Sequence, residues 1–477
     1  MPGAVDAYLT ILETLGTKSL GEVLTPAVHY AERGFPMYES MHRLLEIAEA
    51  RSQFALYPPG GTDVFYPGGR VPAVGERFVQ PALAGTLRRL VEAEAHGRGH
   101  RTAGIAAARE RFYRGDLAAT IGSFSERVGG LLRAADLAPY RARLEPPLRT
   151  TFAGREILGQ GAWTQGPVLM QALGMLETFD LRALGHNSAR YIHVVTEALK
   201  LAFADRERHY GDSPAMPMAE LLDPAYARER AALIRMDRAA PDAPAPGDPR
   251  RRAAPQREGV AGVMASTGGA VGAAGSPTSA VSPAADGTTH IAAIDRDGNM
   301  ICLTPSGGVF RKSAFSPELG CTLSTRSEMF VLEEGHPNAL APGKRPRTTL
   351  VSYLVCEDGV PTTTIGCPGG DDQTQADLQI ALNLLVFGMN PQQAVEAPRF
   401  STQTLVNSFY PRVYRPGQLN VEPAIVGGTR AELRALGHTV VETGACGIGA
   451  VVTQRDPETG VLSAGADPRR PTYALAW

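Results

Sequence analysis

Cysteine is scarce in this sequence and badly placed for chemistry. The five residues, Cys302, Cys321, Cys356, Cys367 and Cys446, are odd in number, with no CxxC pair and no metal-ligand spacing. That excludes a disulfide framework, argues against a zinc site, and leaves small buried apolar groups as their expected role. Long apolar runs are missing too: nothing reaches the roughly eighteen residues of a membrane-spanning helix, and Met1-Pro2-Gly3 does not open a signal peptide. The expectation is a soluble, cytoplasmic protein. An excess of positive charge is also lacking. A net charge of -2 and a pI near 6.6 argue against nucleic acid or a membrane surface as partner, Arg250-Arg251-Arg252 being an isolated solvated run. No GxxxxGK[ST] phosphate loop occurs. With 477 residues and 43% hydrophobic content, the chain is long enough for a sizeable core.

What is present is organised around residues 286–308. An apolar run from Ile291, the turn residues Asp297-Gly298, and a second apolar run from Met300 read as a β-hairpin. A turn centred near Asp297 sets Thr288 opposite Ser306, bringing two hydroxyls together at one end. From about Arg238 to Ala285 the chain is Pro, Ala, Gly, Ser and Arg, a composition expected to be floppy and exposed. A solvated tether that stops at Gly287-Thr288-Thr289 fits a precursor cut to expose a new N-terminal threonine. Such a residue carries a nucleophilic hydroxyl and an α-amine of pKa roughly 7.7–8.0, close enough to neutrality to serve as its own base.

Thr288-Thr289-His290, the Asp297-Gly298-Asn299 turn and several later blocks resemble the γ-glutamyltransferase family of N-terminal-nucleophile hydrolases. The resemblance implies cleavage between Gly287 and Thr288, Thr288 as nucleophile, and a hydrogen bond to it from Ser306, where many members have threonine. A lone Thr-Thr would merely start a strand; the other blocks, in family order, change the balance. Pro342-Gly343-Lys344-Arg345-Pro346 matches a family signature, and the hydroxyl residues after it, Thr348 and Thr349, are implied to hold a substrate carboxylate. Gly366-Cys367-Pro368-Gly369-Gly370-Asp371 follows a β-rich stretch from Pro361 and precedes a helix, an arrangement that gathers backbone N–H groups. The resemblance places the oxyanion hole at Gly369 and Gly370, and Asp371 and Asp372 are expected to cap the helix.

Departures from the pattern are informative. The glutamine and aspartate that bind a γ-glutamyl α-amine align with Arg326 and Met329, and an asparagine aligns with Gly308. A cation there repels an ammonium and attracts a carboxylate. Met1 to Val5 matches a motif that lies well inside the large subunit of relatives, so the first strands, a glycine-rich segment and a carboxylate-binding arginine are expected to be missing. A late gene start and a natural short form are both open. Helical periodicity marks Ala4 to Leu15, Leu20 to Gly34, Met41 to Phe54 and Gln80 to Ala95. Gly115, in a Phe-Tyr-x-Gly block, suits a left-handed helix C-cap. Ser188 starts a helix on which Glu197, Asp205 and Arg206 read as structural, and His193 and His209 as satisfied polar groups rather than a metal pair.

The expected architecture is α+β, a four-layer αββα sandwich of the N-terminal-nucleophile hydrolase type. Three segments are implied: 1–237 as a helix-rich large-subunit part, 238–287 as a disordered tether, and 288–477 as the small subunit. The resemblance implies no cofactor, no metal, a small-molecule amide substrate and two subunits from one precursor, and leaves open a homodimer of such heterodimers. Candidate activities are γ-glutamyl hydrolysis or transfer, hydrolysis of other acyl amides such as oxamate-like or dicarboxylic ones, and an uncut, silent homologue.

Overall fold

The computed structural model describes residues 2–97, 99–250 and 287–476, and helices and strands are mixed throughout. The chain forms two compact units, Met1–Glu145 with Gly307–Thr325, and Pro146–Ser306 with Arg326–Trp477.

The first unit is mainly helical. Helices Ala4–Thr14, Leu20–Arg33 and Pro81–His96 lie close to the expected positions; the run expected from Met41 to Phe54 is instead two helices, Glu39–Glu46 and Ala48–Leu56, broken at extended Ile47, and Arg101–Tyr113 and Asp116–Arg127 complete the unit. Ser19 and Glu22 form a reciprocal capping box that fixes the second start. Leu9, Leu90, Ile105, Tyr113 and Ile121 share one buried cluster, and Phe54, Phe65, Phe78 and Phe315 a second. Gly115 corrects an expectation. At φ -94° it is not left-handed but opens the Asp116–Arg127 helix, and a Cβ there would lie 2.8 Å from the Arg111 carbonyl oxygen. The later segment of this unit is held by earlier residues, Phe315 N–H donating to the Pro59 carbonyl (3.1 Å) and the Thr86 hydroxyl to that of Leu319 (2.9 Å).

The second unit contains, in chain order, β1 (Leu148–Phe152), β2 (Arg155–Gly159), α1 (Gly166–Leu176), α2 (Ala189–His209), β3 (Ile291–Ile294), β4 (Met300–Leu303), β5 (Tyr353–Glu357), β6 (Val360–Gly366), α3 (Asp372–Leu385), β7 (Phe400–Thr402), β8 (Gln418–Val421), β9 (Thr439–Glu442), β10 (Val451–Arg455) and β11 (Leu462–Ala466). Six strands make an antiparallel sheet ordered β11-β10-β6-β5-β2-β1. Central β6 is rich in β-branched residues and buried on both faces from Thr362 onward. Its Pro361, which has no N–H to give the ladder, coincides with a register shift against β5. Helices α1, α2 and α3 contribute much of the buried apolar cluster beside the sheet, including Leu169, Leu173, Leu199, Phe203 and Leu382. The Gln375 and Gln379 amides of α3 each donate to and accept from the backbone of β7, at Thr402 and Phe400, so a helix side chain substitutes for a neighbouring strand. No helix among the described residues is long and apolar enough to cross a membrane.

The expected tether is corrected at its start. Residues 238–250 run in place along this unit, with Ala239 N–H on the Leu436 carbonyl (2.7 Å), Lys200 Nζ on that of Ala240 (2.8 Å) and Gly247 N–H on Asp205 (2.7 Å). Their apolar side chains are too small to bury much surface, so backbone hydrogen bonds do the anchoring. Of the remainder of that expectation, 251–286 lies outside the described residues.

Candidate active site

The hairpin β3-β4 has the register that the turn implied. Ile291 pairs with Leu303 and Ile294 with Met300, and beyond the strand ends Thr288 and Ser306 form an isolated antiparallel bridge. Around the turn, the Asp295 carboxylate accepts from Asp297 N–H, Asn299 N–H and the Asn299 amide, while Gly298 takes φ +84°, a conformation that suits glycine. That closure fixes the far end of the hairpin. There Thr288, 3% exposed, donates its hydroxyl to Ser306 Oγ at 3.0 Å.

His290 locks this end to the sheet. Its Nδ1 lies 2.8 Å from Thr304 Oγ1, which also contacts Ser352 Oγ (2.7 Å) and donates to the Val351 carbonyl (2.6 Å). The imidazole rests against Gly366 so closely that a Cβ there would fall 2.1 Å from its Cε1. Burial pushes its pKa down to about 4, keeping the ring neutral at physiological pH.

Gly366 ends β6 and begins the glycine turn. Gly369 and Gly370 take φ +137° and +61°, open to residues without a Cβ, and their carbonyls accept from Asp372 N–H (3.1 Å) and Gln373 N–H (3.2 Å), carrying the turn into α3. The Gln373 amide is best satisfied with its nitrogen on the Thr349 and Cys367 carbonyls and its oxygen 3.1 Å from Gly370 N–H. Gln165 Nε2 ties the Gly370 carbonyl (3.0 Å) to that of Thr349 (3.2 Å).

The remaining candidates gather on the same framework. Thr348 N–H donates to Trp163, and its buried hydroxyl has no partner among the described residues. Thr349 Oγ1 accepts from Arg326 Nη1 at 3.2 Å. Arg326 is 8% exposed, 3.4 Å from Met329 Sδ and with its guanidinium over the Phe409 ring. Burial outweighs the attraction of Glu328 and Asp371 and pushes its pKa down to about 10, so it stays a cation at neutral pH.

Asp371 does not cap α3 with its side chain as expected. Arg206 Nη1 (2.5 Å) and the Ser408 hydroxyl and N–H (both 2.7 Å) claim it instead. Arg206, fully buried on α2, also reaches Gln165 (2.9 Å) and so braces both sides of the glycine turn. Sequence reasoning took it only for a structural helix residue. Arg470 was missed altogether: its Nη1 lies 3.3 Å from the Thr288 carbonyl oxygen. The only sequence signal was its place directly after Asp467-Pro468-Arg469.

His193, Glu197 and His438 also bring ligand-type atoms within 4.8 Å of one another. Those atoms are committed elsewhere: the two imidazoles hydrogen-bond each other (2.9 Å), His193 Nε2 meets the Arg235 carbonyl (2.7 Å), and Glu197 takes Lys200 Nζ (2.7 Å) and Ala240 N–H (3.1 Å). This is a hydrogen-bonded polar network in the core, in which His438 Nδ1 is the one ring nitrogen without a partner among the described residues.

The model of the Gamma-glutamyltranspeptidase family matches residues 1–477. The Glutathione hydrolase-like YwrD proenzyme of Bacillus subtilis (strain 168) is 30% identical over 475 residues, covering 98% of this chain and 79% of the relative. The Acylase ACY 1 proenzyme of Pseudomonas sp. (strain V22) is 32% identical over 448 residues, covering 93% and 69%. Among solved structures, LmbA2991HD superposes with a TM-score of 0.87 at 38% identity over 97% of this chain and 79% of the other. The cephalosporin acylase from Bacillus halodurans gives 0.80 at 28% identity over 100% and 78%. The chain is thus an enzyme of the gamma-glutamyltranspeptidase family, similar to proteins named as hydrolases and acylases.

Proposed function

We propose that the chain cuts itself between Gly287 and Thr288 and then hydrolyses an amide through an acyl-threonine intermediate. Residues up to Gly287 become the large subunit and 288–477 the small one, with the β3-β4 hairpin and the six-stranded sheet as the two inner β layers of an αββα sandwich. The observation that carries this is the Thr288–Ser306 hydroxyl pair, buried at the end of a hairpin of fixed register.

After the cut, the new Thr288 α-amine takes the proton from its own hydroxyl as Oγ1 attacks the amide carbon. The oxyanion is held by the Gly369 and Gly370 N–H groups, the latter once the Gln373 oxygen gives way. Collapse expels the amine with that proton. Water then splits the ester, releasing the acid and restoring the hydroxyl.

The acyl group favoured is one that carries a carboxylate and no α-ammonium. Arg326 supplies a buried cation for the carboxylate, with Thr348 and Thr349 offering hydroxyls, and Met329 supplies no charge for an amine. The second reading, γ-glutamyl hydrolysis, draws on the relatives named glutathione hydrolases. Paired anilides decide between them: faster release from a glutaryl than from a γ-glutamyl anilide is expected, and the reverse order establishes the second reading. Intact mass tests the cut, and Thr288→Ala should lose both cleavage and turnover. A Thr288→Ala protein that still hydrolyses amides would place the nucleophile elsewhere.

A further inference from the structure

We propose that Arg470 is a positioning residue that holds the nucleophile once the chain has been cut. The inference rests on Thr288 being that nucleophile. In the uncut protein Thr288 is tethered on both sides. Cleavage removes the Gly287 side and turns the residue into a chain end, the part of a protein that frays most readily. Among the described residues, the bonds that remain are the hydroxyl pair with Ser306, the Thr289 N–H to the Pro305 carbonyl (3.2 Å), and the Arg470 guanidinium on the Thr288 carbonyl (3.3 Å). Of these, the guanidinium bond alone comes from outside the hairpin and fixes the terminal residue against another part of the fold. A charged donor on a carbonyl is also stronger than a neutral one.

The turn that presents Arg470 is built to be stiff. Fully buried Asp467 accepts from Arg399 Nη2 (2.5 Å), Gly449 N–H (3.1 Å), and Arg469 N–H and Nη1 (both 3.0 Å). Arg469 in turn reaches Glu422 (2.6 Å), and the Thr472 hydroxyl donates to the Arg470 carbonyl (3.0 Å). The Arg470 stem lies over Gly449, at φ +73°, where a Cβ would stand 3.2 Å from Arg470 Cδ and 3.3 Å from Pro368 Cγ in the glycine turn. Arg470 therefore meets the nucleophile from a rigid mount, and both Arg470 and Pro368 of the loop proposed to hold the oxyanion lie against Gly449. A displacement of about 1 Å at such a point is enough to cost on the order of a hundredfold in rate.

The test is Arg470→Ala in the full chain, followed by intact mass and steady-state kinetics on the better anilide substrate. Cleavage should proceed, because chain continuity holds Thr288 until the cut. In the matured variant kcat should fall about ten- to a hundredfold with KM within about twofold, and added guanidinium at millimolar concentration, or Arg470→Lys, should restore part of it. Wild-type kcat in the matured variant would overturn the inference. So would a loss that guanidinium and lysine both leave unchanged, or a folded variant that stays uncut. Failure of the wild-type protein to cut, or activity in Thr288→Ala, would instead sink the assignment of Thr288.

Discussion

Replacing Arg326 by methionine separates recognition from stability. The guanidinium is 92% removed from solvent, and burial pushes its pKa down to about 10 against the attraction of Glu328 and Asp371. At 1.4 kcal/mol per tenfold, the cation is held at a cost on the order of 3 kcal/mol, while more than nine molecules in ten still carry the charge at pH 7.5. A substrate carboxylate that neutralises it recovers energy of that order, in line with charged hydrogen bonds worth about 1.5–3 kcal/mol. Arg326→Met should therefore lower kcat/KM for a glutaryl anilide by about a hundredfold and change that for a neutral acyl anilide by less than about threefold. The same substitution should raise Tm, because burial costs the guanidinium more than its neighbours return and Met329 is already an apolar neighbour. Parallel kinetics on the two anilides with a thermal scan read both effects. Equal losses on both substrates, or a fall in Tm, would refute the reasoning.

Three further outcomes are expected. Ser306→Ala removes one hydroxyl partner at 3.0 Å and should slow self-cleavage and turnover about five- to tenfold, followed on a denaturing gel over time and by initial rates. Gly366→Ala drives a methyl group into the His290 ring, where backbone and a buried imidazole meet, and should leave a single 50.6 kDa band with reduced Tm; normal processing would show that the strand can yield. Burial holds the Asp377 carboxyl protonated well above the usual carboxylate range, so the folded state keeps a proton that the unfolded chain releases. That contribution is whole below about pH 4 and is lost as pH rises toward the folded value. Asp377→Asn should flatten the decline of Tm from pH 4 to 8, and parallel curves would count against it.

Local features were legible in the sequence. The hairpin turn needed only Asp297-Gly298 between two apolar runs, and the opposition of Thr288 and Ser306 followed from arithmetic on that turn. Ser188 caps α2 as its position suggested, accepting from Tyr191 N–H. The failures share a physical cause in distance along the chain. Asp371 looked like a helix cap because capping is local, yet a full charge on Arg206 of another helix offers more than orphan N–H groups do. Nothing near Gly366 announces that His290 will rest on it. The run from Arg238 was judged on side chains that bury little, whereas its backbone donors and acceptors hold residues 238–250. Arg470 carries no pattern of its own, and only the folded turn around Asp467 brings it to Thr288.

Strand β2 pairs with β5 inside the six-stranded sheet of the second unit, and within the first unit the Thr86 hydroxyl donates to the Leu319 carbonyl. The proposed cut falls between the members of each pair. What begins as intramolecular ladder becomes a seam between two polypeptides, interwoven in both units and without a detachable face. The mature halves should therefore resist exchange with those of another molecule short of denaturation. Expressing them from separate genes would require each to fold around strands that it does not own.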